Sequence, residues 1–189
     1  MNPSFSNRHF VTRQQVVEYA KKKIKSDPVY LDTETTGLES TDEIIEIAIV
    51  NSSGIVIFES FVRPQKPIPA SATAINNITN AMVANSPCWA DIWSTIRNLL
   101  IDHPIGMYNA EFDIRMIRQS LEINNIPNTI KLNAFDIMKV YSDYMRSDRR
   151  FRLEQAGRNL GIVIPNSHRA ADDTLLTRAI FHSIAGVPY

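Results

Sequence analysis

A single cysteine, Cys88, stands among the 189 residues, so no disulfide can form within the chain, and the thiol suits a reducing cytoplasm. Neither sign of charge dominates, because Lys plus Arg and Asp plus Glu both count 20. That balance removes any global electrostatic case for nucleic acid and leaves only local patches to argue from. No run approaches the roughly 18 apolar residues of a membrane span. The opening MNPSFSNRHFVTRQ also lacks the apolar stretch of a secretory signal. Internal repeats, low-complexity segments and long linkers are missing as well. What is present is an ordinary globular composition, 44% apolar and 21% charged, in a length that suits one domain with a good-sized core. The expectation is a cytoplasmic protein of one compact domain with no membrane partner.

Local patterns alternate strands with helices. Thr12 and Gln15 match a capping box ahead of Val16, Val17, Ala20 and Ile24, which predicts a helix over 12–25. Residues 29–33 read as a strand, and EIIEIAIVNSSGIVIFESFVRP as a hairpin turning at Ser52-Ser53-Gly54. Past Pro64, Pro67 and Pro69, helices are expected over 70–77 and 89–101. PIGMYN is a fourth strand, and Asn109 can cap a helix over 110–123. TIKLNAFD can hold a fifth strand leading into a helix through Tyr141, with further helices over 153–160 and 170–184. A strand, a hairpin and then alternating elements imply an α/β protein, a mixed sheet with helices packed on it.

Within this pattern some acids sit where apolar residues belong. In VYLDTETTGL, Asp32 and Glu34 arrive at the end of an apolar strand, two residues apart and so on one face, with Thr33 on the other. Asp113 shares a helix face with Met116, Ile117 and Leu121, and Asp173 is in line with Leu176, Ile180 and Ile184. A carboxylate near a helix start complements the helix dipole, which accounts for Glu111 and Asp172 better than for two acids that face the core. Four carboxylates aimed at one place repel unless neutralised. Hard oxygen ligands suit Mg²⁺ or Mn²⁺, and a paired site holds two ions about 4 Å apart. Such a site stabilises charge on a phosphoryl group and activates water, and His168, five residues before Asp173, is of a type suited to take the water's proton.

Three ordered stretches, DTETTG at 32–37, NAEFD at 109–113 and HRAADD at 168–173, make the chain resemble the DnaQ-like 3′–5′ exonucleases of the DEDDh type. That family includes the proofreading subunit of bacterial DNA polymerase III and ribonuclease T. The resemblance spans about residues 28–185 and implies a ribonuclease H-like fold, a mixed five-stranded sheet with one antiparallel strand between helices. It divides the chain into an extension with a helix at 1–27 and an exonuclease domain at 28–189. It implies Asp32, Glu34, Asp113 and Asp173 as ligands of two divalent cations, Mg²⁺ or Mn²⁺, with His168 as general base. His five residues before the last Asp, rather than Tyr four before it, favours the "h" branch. The implied activity is stepwise hydrolysis from the 3′ end of single-stranded or frayed DNA, releasing nucleoside 5′-monophosphates, with RNA trimming as the alternative.

Thr35, Thr36, Gly37 and Leu38 would meet the terminal nucleotide, with Leu38 as a wedge against its base. Asn109 and Phe112 would line the site, although a helix cap and a core contact are their plain readings. The chain departs from the family where many members carry His-Gly, since Asn76-Asn77 stands there. Some relatives dimerise to build their substrate groove, so a homodimer is among the arrangements the resemblance allows. The few residues after the last helix leave no tail for tethering to a polymerase. Two basic clusters, Lys21, Lys22, Lys23 and Lys25, and Arg146, Arg149, Arg150 and Arg152, are solvated faces or backbone-phosphate contacts. Trp89 and Trp93 read as core or subunit contact rather than a stacking platform, and Asp136 as a cap.

Two rivals differ in class. DTETT superficially resembles the Asp-x-Asp-x-Thr start of a phosphatase with an aspartyl nucleophile, but that chemistry wants Asp where Glu34 stands. A silent nucleic-acid-binding module would have no need of five intact catalytic positions.

Overall fold

The computed structural model of the chain describes residue 10 and residues 12–162 and 168–189. α1 (Arg13–Ile24) begins at the predicted capping box: the Thr12 hydroxyl accepts from the Gln15 N–H at 3.2 Å, and the Gln15 amide oxygen accepts from the Thr12 N–H at 2.9 Å. β1 (Val29–Thr35) is followed by the hairpin β2 (Ile44–Val50) and β3 (Val56–Phe61). Its turn is held by the Asn51 side chain, which accepts from the N–H groups of Ser53 and Ile55, and Gly54 takes φ 86°, where a Cβ would be strained. Two short helices, α2 (Ala70–Asn76) and α3 (Asn80–Val83), lead to α4 (Trp89–Leu100). β4 (Ile105–Met107) enters α5 (Ala110–Ile123), and β5 (Ala134–Asp136) enters α6 (Ile137–Tyr144). α7 (Leu153–Asn159) precedes the long α8 (Ala170–Ala185).

The sheet order is β3-β2-β1-β4-β5; β2 runs antiparallel to both neighbours, whereas β1, β4 and β5 are mutually parallel. This is the expected mixed sheet with one reversed strand. Alternation along β1 sorts the core into two layers. Val29 and Leu31 join Ile47, Ile49, Ile105 and Met107 against α4 and α5. Tyr30 points the other way, into the layer of α1, α6 and α8 with Val16, Tyr141, Ile180 and Phe181. α1 is thus part of the packing, through the buried Val16 and Ala20. Trp89 and Trp93 stack at 5.7 Å and are buried, as a core role requires.

Three elements differ from expectation. β1 continues to Thr35, because a register shift between Glu34 and Thr35 lets the strand keep pairing, with Thr35 opposite Ile44. α3 was not expected; it is four residues long, too short for a period to show, and is closed by the Thr79 hydroxyl accepting from Met82 N–H. α6 runs past Tyr141 to Tyr144, with the Ser142 hydroxyl bonded to the carbonyls of Met138 and Arg149.

Candidate active site

β1 delivers acids at its carboxyl end, and the two helices that start beside it bring the rest. Asp32 and Glu34 share the Tyr30 face, under α8. Thr33 faces α5, where its hydroxyl donates to Asp113 Oδ1 at 2.8 Å. Asp113 and Asp173 lie in the first turns of α5 and α8 and are both buried, so helices on opposite faces of the sheet converge on one strand end. Asp173 Oδ2 accepts the His168 N–H at 3.2 Å, while its Oδ1 is buried with no partner. His168 has φ 65°, a left-handed turn immediately before α8. One ligand atom each from Glu34, His168 and Asp173 lies within 4.8 Å of the others.

The acids hold their protons unusually tightly. Asp32 is pushed well above the ordinary range by burial and then by Asp113, Asp173 and Glu34. Burial also raises Glu34, to about 8, with Asp173 and Glu46 adding repulsion. Asp113 rises through burial against the opposing Thr33 hydrogen bond, and Asp173 rises to about 6, held back by the His168 N–H. These carboxyls bind protons more tightly folded than unfolded, so between about pH 4 and 8 the folded chain carries the extra protons. Metal-free stability therefore falls as pH rises through that window. In EDTA the melting temperature is expected to be lower at pH 8.5 than at pH 5.5, with excess Mg²⁺ raising it far more at the higher pH. Equal melting at both pH values would remove the crowding.

This donor set fits hard divalent cations. All four acids offer oxygens, and Asp173 Oδ1 is a buried acceptor without a donor. Among the described residues the Arg169 guanidinium does not serve the group, because it is taken by Glu46. The Arg169 Nη2 and Nε donate to Glu46 Oε1 at 2.7 and 3.0 Å, and Ala170 N–H donates to Oε2 at 3.0 Å. Glu46 pairs directly with Glu34 in the sheet and is 1% exposed. Arg169 also lies over the Phe61 ring and 3.7 Å from Glu59. The clamp therefore holds the start of α8 against β2 and pairs Glu46 with a cation, although that carboxylate still adds some repulsion to Asp32 and Glu34.

Glu46, Arg169 and Glu154, whose Oε1 is 3.9 Å from His168 Nε2, were not singled out from sequence. For Glu46 the signal was available, since an acid inside the apolar run IIEIAIV is as misplaced as Asp32. Arg169→Met leaves Glu46 buried with only the Ala170 N–H as a partner. It is expected to cost about 2–3 kcal/mol in denaturant unfolding, below the usual buried-pair penalty because the guanidinium is half exposed. Adding Glu46→Gln should recover most of that loss. No loss in the single variant would mean that the clamp contributes nothing.

The residues named for substrate contact differ in burial and in their partners. Leu38 is 71% exposed. The Thr36 side chain is buried, donating to Asp42 Oδ1 at 2.8 Å and accepting from Glu43 N–H at 2.9 Å. Thr35 donates to the Gly37 carbonyl at 2.8 Å, and a Cβ on Gly37 would collide with the Asp42 carboxylate. Phe112 packs half-buried on the core and has the Arg115 guanidinium 5.3 Å from its ring centre. Asn109 precedes α5 but does not cap it: at φ 67°, ψ 54° its side chain makes no capping bond, and its N–H donates to Asp136 Oδ1 at 3.3 Å. Asp136 is the expected cap, accepting from Lys139 N–H. Asn76, at the departure from the family pattern, is buried, donates to the Thr35 carbonyl at 3.3 Å and holds the Glu34 pKa down against burial. Asn77 takes the left-handed position that ends α2, where Asn is tolerated next best to Gly.

Residues 29–181, from the start of β1 into α8, match the family of exonucleases of the RNase_T type. The chain belongs to this exonuclease family. Its DnaQ-like, DEDDh character, read from three motifs, holds with it. It is 33% identical over 187 residues to an uncharacterized exonuclease of Escherichia phage 186, covering 93% of this chain and 96% of that one. It is 34% identical over 164 residues to a DNA polymerase III subunit epsilon-like protein of Rhodobacter capsulatus, covering 81% of this chain but 23% of that longer protein. Among solved structures it resembles exonuclease X in complex with 5′ overhanging duplex DNA, at 28% identity and a TM-score of 0.65 over 84% of this chain and 90% of that one. The nuclease domain of 3′hExo, a DEDDh member, shares the fold at 15% identity and a TM-score of 0.70, over 82% of this chain and 89% of that one. The exonuclease is a hydrolase with a ribonuclease H-like fold, and its family implies dependence on divalent metal. No helix among the described residues is long and apolar enough to cross a membrane.

Proposed function

We propose that this exonuclease removes nucleoside 5′-monophosphates one at a time from the 3′ end of single-stranded or frayed DNA. The observation that carries the reading is the meeting of Asp32, Glu34, Asp113 and Asp173 at one strand end with His168 turned against Asp173. Two divalent cations, Mg²⁺ or Mn²⁺, bound by those four carboxylates would supply Lewis-acid stabilisation of the phosphoryl charge and lower the pKa of the attacking water. His168 removes that water's proton as its oxygen bonds to phosphorus. The bond from phosphorus to the 3′ oxygen breaks, leaving a new 3′-hydroxyl on the shortened strand.

Leu38 wedges against the terminal base, while Asn109, Phe112 and the backbone of Thr35, Thr36 and Gly37 border the sugar and phosphate. Arg146, Arg149, Arg150 and Arg152 offer charge for the upstream backbone, in a loop that Tyr108 anchors by donating to the Phe151 carbonyl at 2.9 Å. We read residues 28–189 as the catalytic domain and 1–27 as an extension whose helix docks on it, residues 1–9 and 11 lying outside the described ones.

DNA is favoured over RNA because exonuclease X, at 28% identity, is solved with DNA. The deciding experiment follows a 5′-labelled single-stranded DNA and its RNA equivalent in Mg²⁺, Mn²⁺ or EDTA. A metal-dependent ladder shortening from the 3′ end, faster on DNA, is the expected result. A ladder on RNA alone would move the substrate, and none on either would end the reading.

A further inference from the structure

The loop between β1 and β2 is exposed over residues 38–41, and Leu38 joins none of the core clusters among the described residues. A lone exposed leucine is ordinary. What sets this one apart is how firmly the backbone on both sides of it is held. The Gly37 carbonyl accepts the Thr35 hydroxyl at 2.8 Å, and the Glu39 N–H donates to Asp42 Oδ2 at 2.7 Å. Inside the loop the Asp42 carboxylate also accepts the Thr36 hydroxyl and fills the space that a Cβ on Gly37 would need. From the other side comes Gln119 of α5, which is 8% exposed. Its Nε2 donates to the Glu39 carbonyl at 3.0 Å and to the Asp42 carbonyl, so both protons of one buried amide serve this loop. Asp113 lies in the first turn of the same helix, so the leucine loop and a catalytic carboxylate are referred to one rigid element.

We propose that Gln119 and Asp42 are positioning residues that hold Leu38 ready for the base at the 3′ end of the substrate. Gln119 fastens the loop to α5 from outside, and Asp42 fastens it from within. A loop ordered before binding does not have to be ordered by the substrate, so the two residues raise affinity through Leu38. The bonds made and broken at phosphorus do not involve them. Their loss therefore shows in KM and leaves kcat nearly alone. This rests on the proposed contact between Leu38 and the terminal base, and the test separates the two.

The test is a double-mutant cycle of Gln119→Met with Leu38→Ala in the whole chain. It is read as KM and kcat on 5′-labelled single-stranded DNA in Mg²⁺, and as binding of the same DNA in Ca²⁺. Met keeps the length of Gln and removes both donors. Leu38→Ala alone should raise KM about 10-fold, the loss of one buried apolar contact. Gln119→Met alone should raise KM about 5-fold with kcat changed by less than about 2-fold. In the Leu38→Ala background the same Gln119→Met should change KM by less than about 2-fold, because nothing is left to position. Asp42→Ala frees the loop without touching α5 and should repeat the pattern, which covers a Gln119 variant that folds poorly. Losing that negative charge by itself favours DNA, so a rise in KM there comes from the loop. Gln119→Met and Asp42→Ala with unchanged KM, or with rises that persist in full without Leu38, overturn the proposal. Leu38→Ala with wild-type KM and affinity overturns it together with the base contact. Coupling seen in Ca²⁺ binding by a wild type that hydrolyses no DNA keeps the positioning and removes the proposed reaction instead.

Discussion

Asp32→Asn is expected to abolish hydrolysis and at the same time to raise the melting temperature of the metal-free protein above pH 8. Asp32 sits in β1 opposite Ala48, and its ionised form is opposed by burial and then by Asp113, Asp173, Glu34 and Glu46. Asn keeps the shape and removes the charge, so the apo protein loses repulsion without gaining a cavity. The same change removes an oxygen donor that the cations would need, and a loss of at least about 10³-fold in turnover follows for chemistry that rests on charge stabilisation. Turnover on labelled single-stranded DNA and calorimetric melting in EDTA are the two readouts. A variant that is less stable and still active would show that the charge is structural and that the cluster is not the reaction centre.

His168→Asn should lower kcat by about 10²–10⁴-fold, the usual contribution of a positioned base, with the Mg²⁺ requirement and the affinity for single-stranded DNA almost unchanged. The separation follows from geometry. His168 supplies one backbone N–H to Asp173, and that donor survives any side-chain change. The substitution therefore leaves the carboxylates in place and takes away only the imidazole. Turnover measured across Mg²⁺ concentration separates the outcomes: a fall in kcat at constant half-saturation supports the base, and a matching loss of Mg²⁺ affinity would make His168 a ligand for the activating metal as well.

Glu46 and His168 show how much could be read before folding. His168 was named because of its five-residue spacing to Asp173 and the order of the three motifs, and the fold sets it beside Asp173 and Glu34. Glu46 broke the apolar pattern as plainly as Asp32, but nothing local says that it lies opposite Glu34 or that a guanidinium 123 residues away will claim it. Asn109 was read as a cap by residue type, and only its left-handed backbone shows that the side chain is free of that duty. Asn76 was visible as a departure from the family, whereas its hydrogen bond to the Thr35 carbonyl and its influence on Glu34 were not.

By itself the sequence determined the family, the alternation of β1 that puts Asp32 and Glu34 on one face and Thr33 on the other, and the helix faces that turn Asp113 and Asp173 inward. Those are consequences of periods of two and 3.6 residues, which neighbouring residues set. The tertiary structure alone decided which carboxylates are crowded and which is neutralised. That depends on strand pairing and on where α8 begins against β2, and both bring together residues far apart in the chain. Electrostatic energy in a buried site is a property of such distances, so the crowded charge could be located only once the sheet had been assembled.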